Sequence, residues 1–245
     1  MKRGKARRQR RLRRSLIARL FAASALVAGA GSAAVATASS AIARHDLEGL
    51  RPDLLALAES AADRYLAGHT VPRPELLTVI DYSLPSTEPR LWLIDRTTGR
   101  VLRRLLVAHG RGSGENYATR FSNRDGSLTS SLGLFLTEEP YVGKNGYSLR
   151  LRGLEPGIND RARERTIVLH GAPYVSAAFA REHGRLGRSW GCPAVEAEVA
   201  RPLIEEIRDG SLLFVFGQDR DWLARSPFLV AEAKAQDGAG VAGTP

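Results

Sequence analysis

The chain has 245 residues and a formal charge of +10 at pH 7, from 36 Lys and Arg against 26 Asp and Glu. Ten of the basic residues fall within positions 1–19 and the first acid is Asp46, so beyond that leader 26 basic residues balance 26 acids. A binding face for nucleic acid needs its basic excess inside the folded domain, and this distribution excludes one.

The basic stretch is followed by uncharged residues from Leu20 to Ala43, rich in Ala, Ser and Gly, with the small-residue pairs Ala36/Ala38 and Ala41/Ala43 that suit a signal peptidase. Residues 1–43 therefore read as a cleaved signal peptide. The alternative is an uncleaved membrane anchor: the stretch is long enough to span a bilayer, but its composition is only weakly hydrophobic. Arg13-Arg14 before Ser15-Leu16-Ile17 loosely suggests a twin-arginine signal, yet Leu12 stands where Ser or Thr is usual, which favours general secretion. No cysteine follows the apolar segment, so a lipid-modified N-terminus is excluded. The expected location is periplasmic or otherwise in the cell envelope, with no membrane span after signal cleavage.

Roughly 200 mature residues suffice for one well-buried core. Residues 44–75 form a helical lead-in, in which Asp53 to Leu66 places Leu54, Leu57, Ala58, Ala61, Ala62 and Tyr65 at helical spacing after Pro52. The period then changes to that of strands. Leu76–Tyr82, Leu91–Asp95 and Val101–Ala108 are predicted strands, the last two joined through Thr97-Thr98-Gly99 as a hairpin. Leu132–Thr137, Tyr147–Arg152, Thr166–His170 and Ser211–Phe216 continue the sheet, and helices are predicted near Val175–Glu182 and Glu196–Arg208. Residues 76–218 are expected to make the main domain and 219–245 a C-terminal extension, whose Ala/Gly-rich end from Glu232 to Pro245 is predicted to be disordered. The fold class is α+β, mainly β: a β-sandwich with a few flanking helices.

The only cysteine is Cys192, within Gly187-Arg188-Ser189-Trp190-Gly191-Cys192-Pro193. An exported chain with one thiol cannot form an internal disulfide, so this sulfur is either core filler or a nucleophile. Gly191 permits a tight turn in which the amides of Trp190, Gly191 and Cys192 point to one spot, an oxyanion hole for a tetrahedral intermediate. His170, at the end of a predicted strand, is the expected general base. An imidazolium there, together with the turn amides, is expected to depress the thiol pKa. Arg188 is a candidate clamp for a substrate carboxylate, with an ion pair to Glu196 or Glu198 as the plainer alternative, and Ser189 and Tyr174 are placed at the pocket. Asn159 and Arg165 read as structural, and His109 as a loop residue beside a flexible Gly110-Arg111-Gly112-Ser113-Gly114 segment. The five histidines are too scattered for a metal site, and no cofactor is implied.

Val79-Ile80-Asp81-Tyr82-Ser83, Val107-Ala108-His109-Gly110, Phe121-Ser122-Asn123, Ser130-Ser131-Leu132-Gly133-Leu134-Phe135, His170-Gly171-Ala172-Pro173-Tyr174 and Gly187 to Ala194 together resemble the L,D-transpeptidases (YkuD-like), especially the murein L,D-transpeptidase catalytic domain branch, from about Leu76 to Phe216. The resemblance implies Cys192 as acyl acceptor, His170 as base and the carbonyl of Gly171 as the group that orients His170. It also implies peptidoglycan stem peptides as partners, with meso-diaminopimelate side chains as acceptors. The chain departs from the family at Trp190, where His is usual before Gly-Cys, at Pro193-Ala194, and in a slightly longer spacer between His170 and Ser189. The expected activity is stem-peptide cross-linking through a cysteine acyl-enzyme. Hydrolysis of that acyl-enzyme, as in a carboxypeptidase or amidase, and a non-catalytic wall-binding role are the alternatives.

The charge and composition boundary predicts a mature N-terminus between about Thr37 and Asp46, outside the cytoplasm. N-terminal sequencing of the exported protein checks this, and an intact Met1 terminus in a cytosolic fraction contradicts it.

Overall fold

The structure, a computed structural model, describes residues 47 and 49–229; the signal peptide expected over 1–43 and the disordered end expected from Glu232 lie outside the described residues. Helix α1 (Pro52–Leu66) starts where Pro52 fixes the first turn and Asp53 faces the positive end of the helix dipole. Its buried Leu54, Ala58, Ala61, Ala62 and Tyr65 join the same core as the strands. The lead-in helix is thus packed into the domain it precedes, and Arg96, just before the Thr97-Thr98-Gly99 turn, ties it down through Glu59, at 2.6 Å, and Asp63.

The strands are β1 (Leu76–Asp81), β2 (Leu91–Asp95), β3 (Arg100–Leu105), β4 (Gly133–Gly143), β5 (Gly146–Gly153), β6 (Val168–Ala172), β7 (Ala194–Glu196) and β8 (Leu212–Phe216). Helices α2 (Ala177–His183), α3 (Ala197–Ile207) and α4 (Arg220–Arg225) complete the described elements. One eight-stranded sheet runs in the order β3-β2-β1-β8-β4-β5-β6-β7, with β1/β8 and β6/β7 parallel and the other pairs antiparallel. The sandwich is made by this sheet curling back on itself. Just past β3, Ala108 exchanges both backbone hydrogen bonds with Ala194 of β7, at 2.8 and 3.3 Å, so the two ends of the strand order meet.

Most predicted elements occur close to their expected bounds. β1 and β2 are near-continuous apolar runs because both faces are covered, whereas β3 alternates between exposed and half-buried, as an edge strand carrying Arg100, Arg103 and Arg104 does. β3 stops at Leu105 instead of continuing to Ala108, because the chain leaves β2 there to reach β7. β4 runs six residues past the predicted Thr137, across a register shift between Thr137 and Pro140. The periodicity predicts neither β7 nor α4. Three residues are too few to show a period, and α4 starts at the cap Asp219, whose side chain accepts from the Trp222 amide.

A buried polar hub closes the domain at this C-terminal end. Glu155 accepts from the Leu134 amide at 2.6 Å and from Trp222 Nε1 at 3.1 Å, and Asn159 donates to the carbonyls of Leu132 and Leu134. Burial holds the Glu155 carboxyl above the usual range. Trp222 also packs on Phe214 and Phe216, so the first part of the C-terminal extension belongs to the core. Trp222→Ala removes this aromatic volume and one donor from Glu155, and is expected to cost about 3–5 kcal/mol in denaturant unfolding.

Candidate functional site

His170 is the middle residue of β6, not its end. It pairs with Ser148 of β5 on one side and with Ala194 of β7 on the other. The strand begins at Val168 instead of Thr166 because Arg165 and Thr166 are still in a turn, Thr166 at φ 54°. The His170 amide donates to the Pro193 carbonyl at 3.3 Å, and the parallel register carried back along β7 sets Cys192 beside Val168. The fold thus sets His170, on β6, against the segment that carries Cys192 into β7, a neighbourhood that sequence separation alone could not establish.

The ring of His170 is fixed by its Nδ1, which lies 2.9 Å from the Gly171 carbonyl. A carbonyl only accepts, so Nδ1 carries the proton and Nε2 keeps its lone pair. Burial lowers the His170 pKa against the pull of the Gly171 carbonyl, and the imidazole is neutral at pH 7. The Cys192 thiol is buried and donates to the Thr166 carbonyl at 3.7 Å. Burial pushes its pKa up, while the Val168 amide and the Arg165 guanidinium favour the thiolate. The expected depressed thiol beside an imidazolium is therefore corrected: desolvation dominates both groups, and they rest as thiol and imidazole.

The turn before the thiol is built from two directions. Ser189 Oγ donates to the Cys192 carbonyl at 2.6 Å and accepts from the Gly191 amide at 3.1 Å. Of the three amides expected to converge on an oxyanion, that of Gly191 is thus engaged within the turn, and Ser189 pins the loop. Opposite it, the Ser189 amide donates to the His109 carbonyl at 3.0 Å and the Arg111 amide to the Ser189 carbonyl at 2.8 Å. Ser130 Oγ accepts from the Gly110 amide and donates to the Gly191 carbonyl at 3.1 Å. Gly110 and Gly191 meet back to back: a Cβ on Gly110 would lie 2.7 Å from the Gly191 Cα, and one on Gly191, at φ 131°, would lie 2.8 Å from the Thr129 carbonyl. The glycine-rich 110–114 segment is thus a packing surface for the turn before Cys192.

Arg188 faces neither Glu196 nor Glu198. Its guanidinium bonds Glu115 at 2.6 Å and the Gly114 carbonyl at 3.1 Å, and Glu115 also pairs with Arg185. Tyr174 is half-buried, and desolvation raises its phenol to about 12, with the Cys192 charge acting in the same direction. Trp190 is 73% exposed, and Arg111 lies over its ring at 5.6 Å. His109, predicted on the surface, is fully buried. Arg90, itself buried, donates to its Nδ1 at 2.8 Å, which leaves Nε2–H to meet the Gly114 carbonyl at 3.3 Å. Arg90 also bonds the Val107 and Leu84 carbonyls and lies over the Tyr82 ring at 4.9 Å. Composition and spacing hold no signal for this Arg90–His109 pair, or for Arg165 beside the thiol, because both depend on which strands the fold makes neighbours. No group of His, Cys, Asp and Glu that could hold a metal occurs among the described residues, and no helix among them is long and apolar enough to cross a membrane.

The family described as L,D-transpeptidase catalytic domain matches residues 48–216. Solved structures similar to this chain include an L,D-transpeptidase from Mycobacterium smegmatis, at 15% identity over 58% of this chain and 59% of that one, with a TM-score of 0.35. An L,D-transpeptidase from Mycobacterium tuberculosis H37Rv matches at 13% identity over 58% of each chain, with a TM-score of 0.38. One from Xylanimonas cellulosilytica matches at 16% identity over 65% of this chain and 77% of that one, with a TM-score of 0.35. The alignment spans about three fifths of the length of the two mycobacterial chains. No curated protein matches the sequence.

The buried His109 makes stability depend on pH. Burial, with the Arg90 charge beside it, lowers its pKa from 6.5 to about 4, so between these values the unfolded chain binds a proton that the folded one refuses. Stability contributed here is present above pH 6.5 and is lost as pH falls towards 4, by about 3 kcal/mol. Asn at position 109 keeps an acceptor for Arg90 without titrating. Denaturant unfolding measured from pH 7 to 4 is therefore expected to fall less steeply in His109→Asn than in the wild type by about that amount.

Proposed function

The chain belongs to the L,D-transpeptidase catalytic-domain family, and from that premise we propose that it cross-links peptidoglycan stem peptides in the cell envelope through an acyl-enzyme on Cys192. The observation that carries this reading is the His170 tautomer: with Nδ1–H tied to the Gly171 carbonyl, Nε2 is the free base on the strand that adjoins the cysteine.

The reaction proceeds in two acyl transfers. The Cys192 thiol gives its proton to His170 Nε2 as sulfur bonds the donor carbonyl, and the oxygen of the tetrahedral intermediate takes hydrogen bonds from the Trp190 and Cys192 amides. The C–N bond breaks, and the departing amine takes the proton from His170. An amine on a neighbouring stem then attacks the thioester, passing a proton through His170 back to sulfur as the C–S bond breaks. Neutral resting partners suit this cycle, since neither carries a buried charge before substrate arrives. Tyr174 lines the pocket, and exposed Trp190 forms its acceptor-side rim. Arg188, held by Glu115, serves the 110–118 loop instead of the substrate. Residues 1–43 direct export, 76–218 carry the chemistry, and the part of 44–75 and of 219–229 that packs on them supports it.

Incubating the exported form with tetrapeptide muropeptides and reading products by mass spectrometry tests this. Expected are cross-linked dimers that have lost one terminal residue, none with Cys192→Ala, and a rate reduced by about 10²–10⁴-fold with His170→Ala. Trimmed monomers without dimers would replace transfer by hydrolysis. Undiminished product formation by Cys192→Ala would overturn the cysteine mechanism.

A further inference from the structure

Arg165 is 8% exposed, and the partners of its guanidinium are neutral: the Ser122 and Thr129 carbonyls at 2.7 and 2.9 Å, and the hydroxyls of Ser131 and Ser127 at 2.5 and 3.2 Å. No carboxylate lies within ion-pair distance of it among the described residues. A buried cation satisfied only by dipoles leaves its field uncancelled for a neighbour that ionises. Its location says which neighbour. Arg165 directly precedes Thr166, whose carbonyl receives the Cys192 thiol, and its Nη2 lies 3.6 Å from where a Cβ of Gly191 would stand. Nη2 also holds the Thr129 carbonyl against the same Gly191.

We propose that Arg165 is the electrostatic partner of the Cys192 sulfur, a positioning residue whose permanent charge stabilises the thiolate while its hydrogen bonds hold the 122–131 segment beneath the nucleophile turn. His170, neutral at rest, supplies no such charge. Arg165 and Cys192 each favour the charged form of the other, as neighbouring groups of opposite charge do. The other titratable groups around the sulfur are Tyr82, beyond the end of β1, and Tyr174, after β6, both raised to about 12 and hence uncharged. On the solvent side Asp125 and Arg161 act on Arg165 with opposite sign. The guanidinium is thus the one fixed charge among the groups found to act on the sulfur.

The proposal deepens the reading of Cys192 as nucleophile, and its test uses no peptidoglycan, so the two can fail separately. The chain has one thiol, and alkylation by iodoacetamide, in which sulfur displaces iodide, reports its titration directly. The rate is measured against pH in the wild type, Arg165→Met, Arg165→Gln and Arg165→Lys, with folding followed by circular dichroism. Either neutral variant is expected to raise the midpoint by about one unit, slowing alkylation about tenfold at pH 7, and Arg165→Lys to restore it to within a few tenths. A folded neutral variant with the wild-type midpoint overturns the proposal. If neither neutral variant folds, Arg165→Lys decides alone, since it keeps the charge and loses the fork of hydrogen bonds. An unchanged midpoint in it supports the proposal, and a midpoint raised by about one unit assigns Arg165 to structure only.

Discussion

The site depends on the pairing of one very short strand. β7 is three residues long, too short to stand as an edge, and it is held from both sides: β6 binds it in parallel register through His170, Gly171 and Ala172, and Ala108 bonds Ala194 from the other side. Cys192 and Pro193 lead directly into it, so the sulfur's position is inherited from this register. A slip by one residue would turn every side chain of β7 to the opposite face and break the Pro193–His170 hydrogen bond. The closure of the sheet between Ala108 and Ala194 thus fixes the backbone of Cys192 and Pro193 against that of His170.

The second constraint is the packing of the Ser189–Cys192 turn on the 109–114 and 127–131 segments. Backbone meets backbone at Gly110 and Gly191, which no side chain at either position would allow, and Ser130, Ser113 and Ser189 satisfy the polar groups this contact buries. Behind these segments lie two buried arginines, Arg90 and Arg165, each satisfied by carbonyls and hydroxyls or an imidazole in place of acids. Guanidinium suits such a position because it supplies five donors in a rigid plane and stays charged where an ammonium would give up its proton. Both guanidiniums are thus buried in a stretch, residues 20–245, whose basic and acidic side chains are equal in number.

Burial acts on the two groups in opposite senses, raising the Cys192 thiol and lowering the His170 imidazole, so both are uncharged at rest. The backbone carbonyl of Gly171 takes the place of an acid in orienting His170, which fits the same logic: a buried carboxylate would have stabilised the imidazolium at rest.

Local features were legible in the order of residues alone. Hydrophobic spacing located α1, β1, β2, β5, β8 and the bulk of α3, because those segments bury one face or both and their periods are set by backbone geometry. The motifs around His170 and Cys192 were visible as well, and the structure shows the Gly171 carbonyl 2.9 Å from His170 Nδ1. Whatever depends on neighbours distant along the chain came only with the folded sheet. It assigned Arg188 to Glu115, buried His109 against Arg90, engaged the Gly191 amide with Ser189 and set Arg165 against Gly191. Desolvation and charge act through space, so the protonation of Cys192 and His170, unlike their identity, could be read only once the sheet had closed around them.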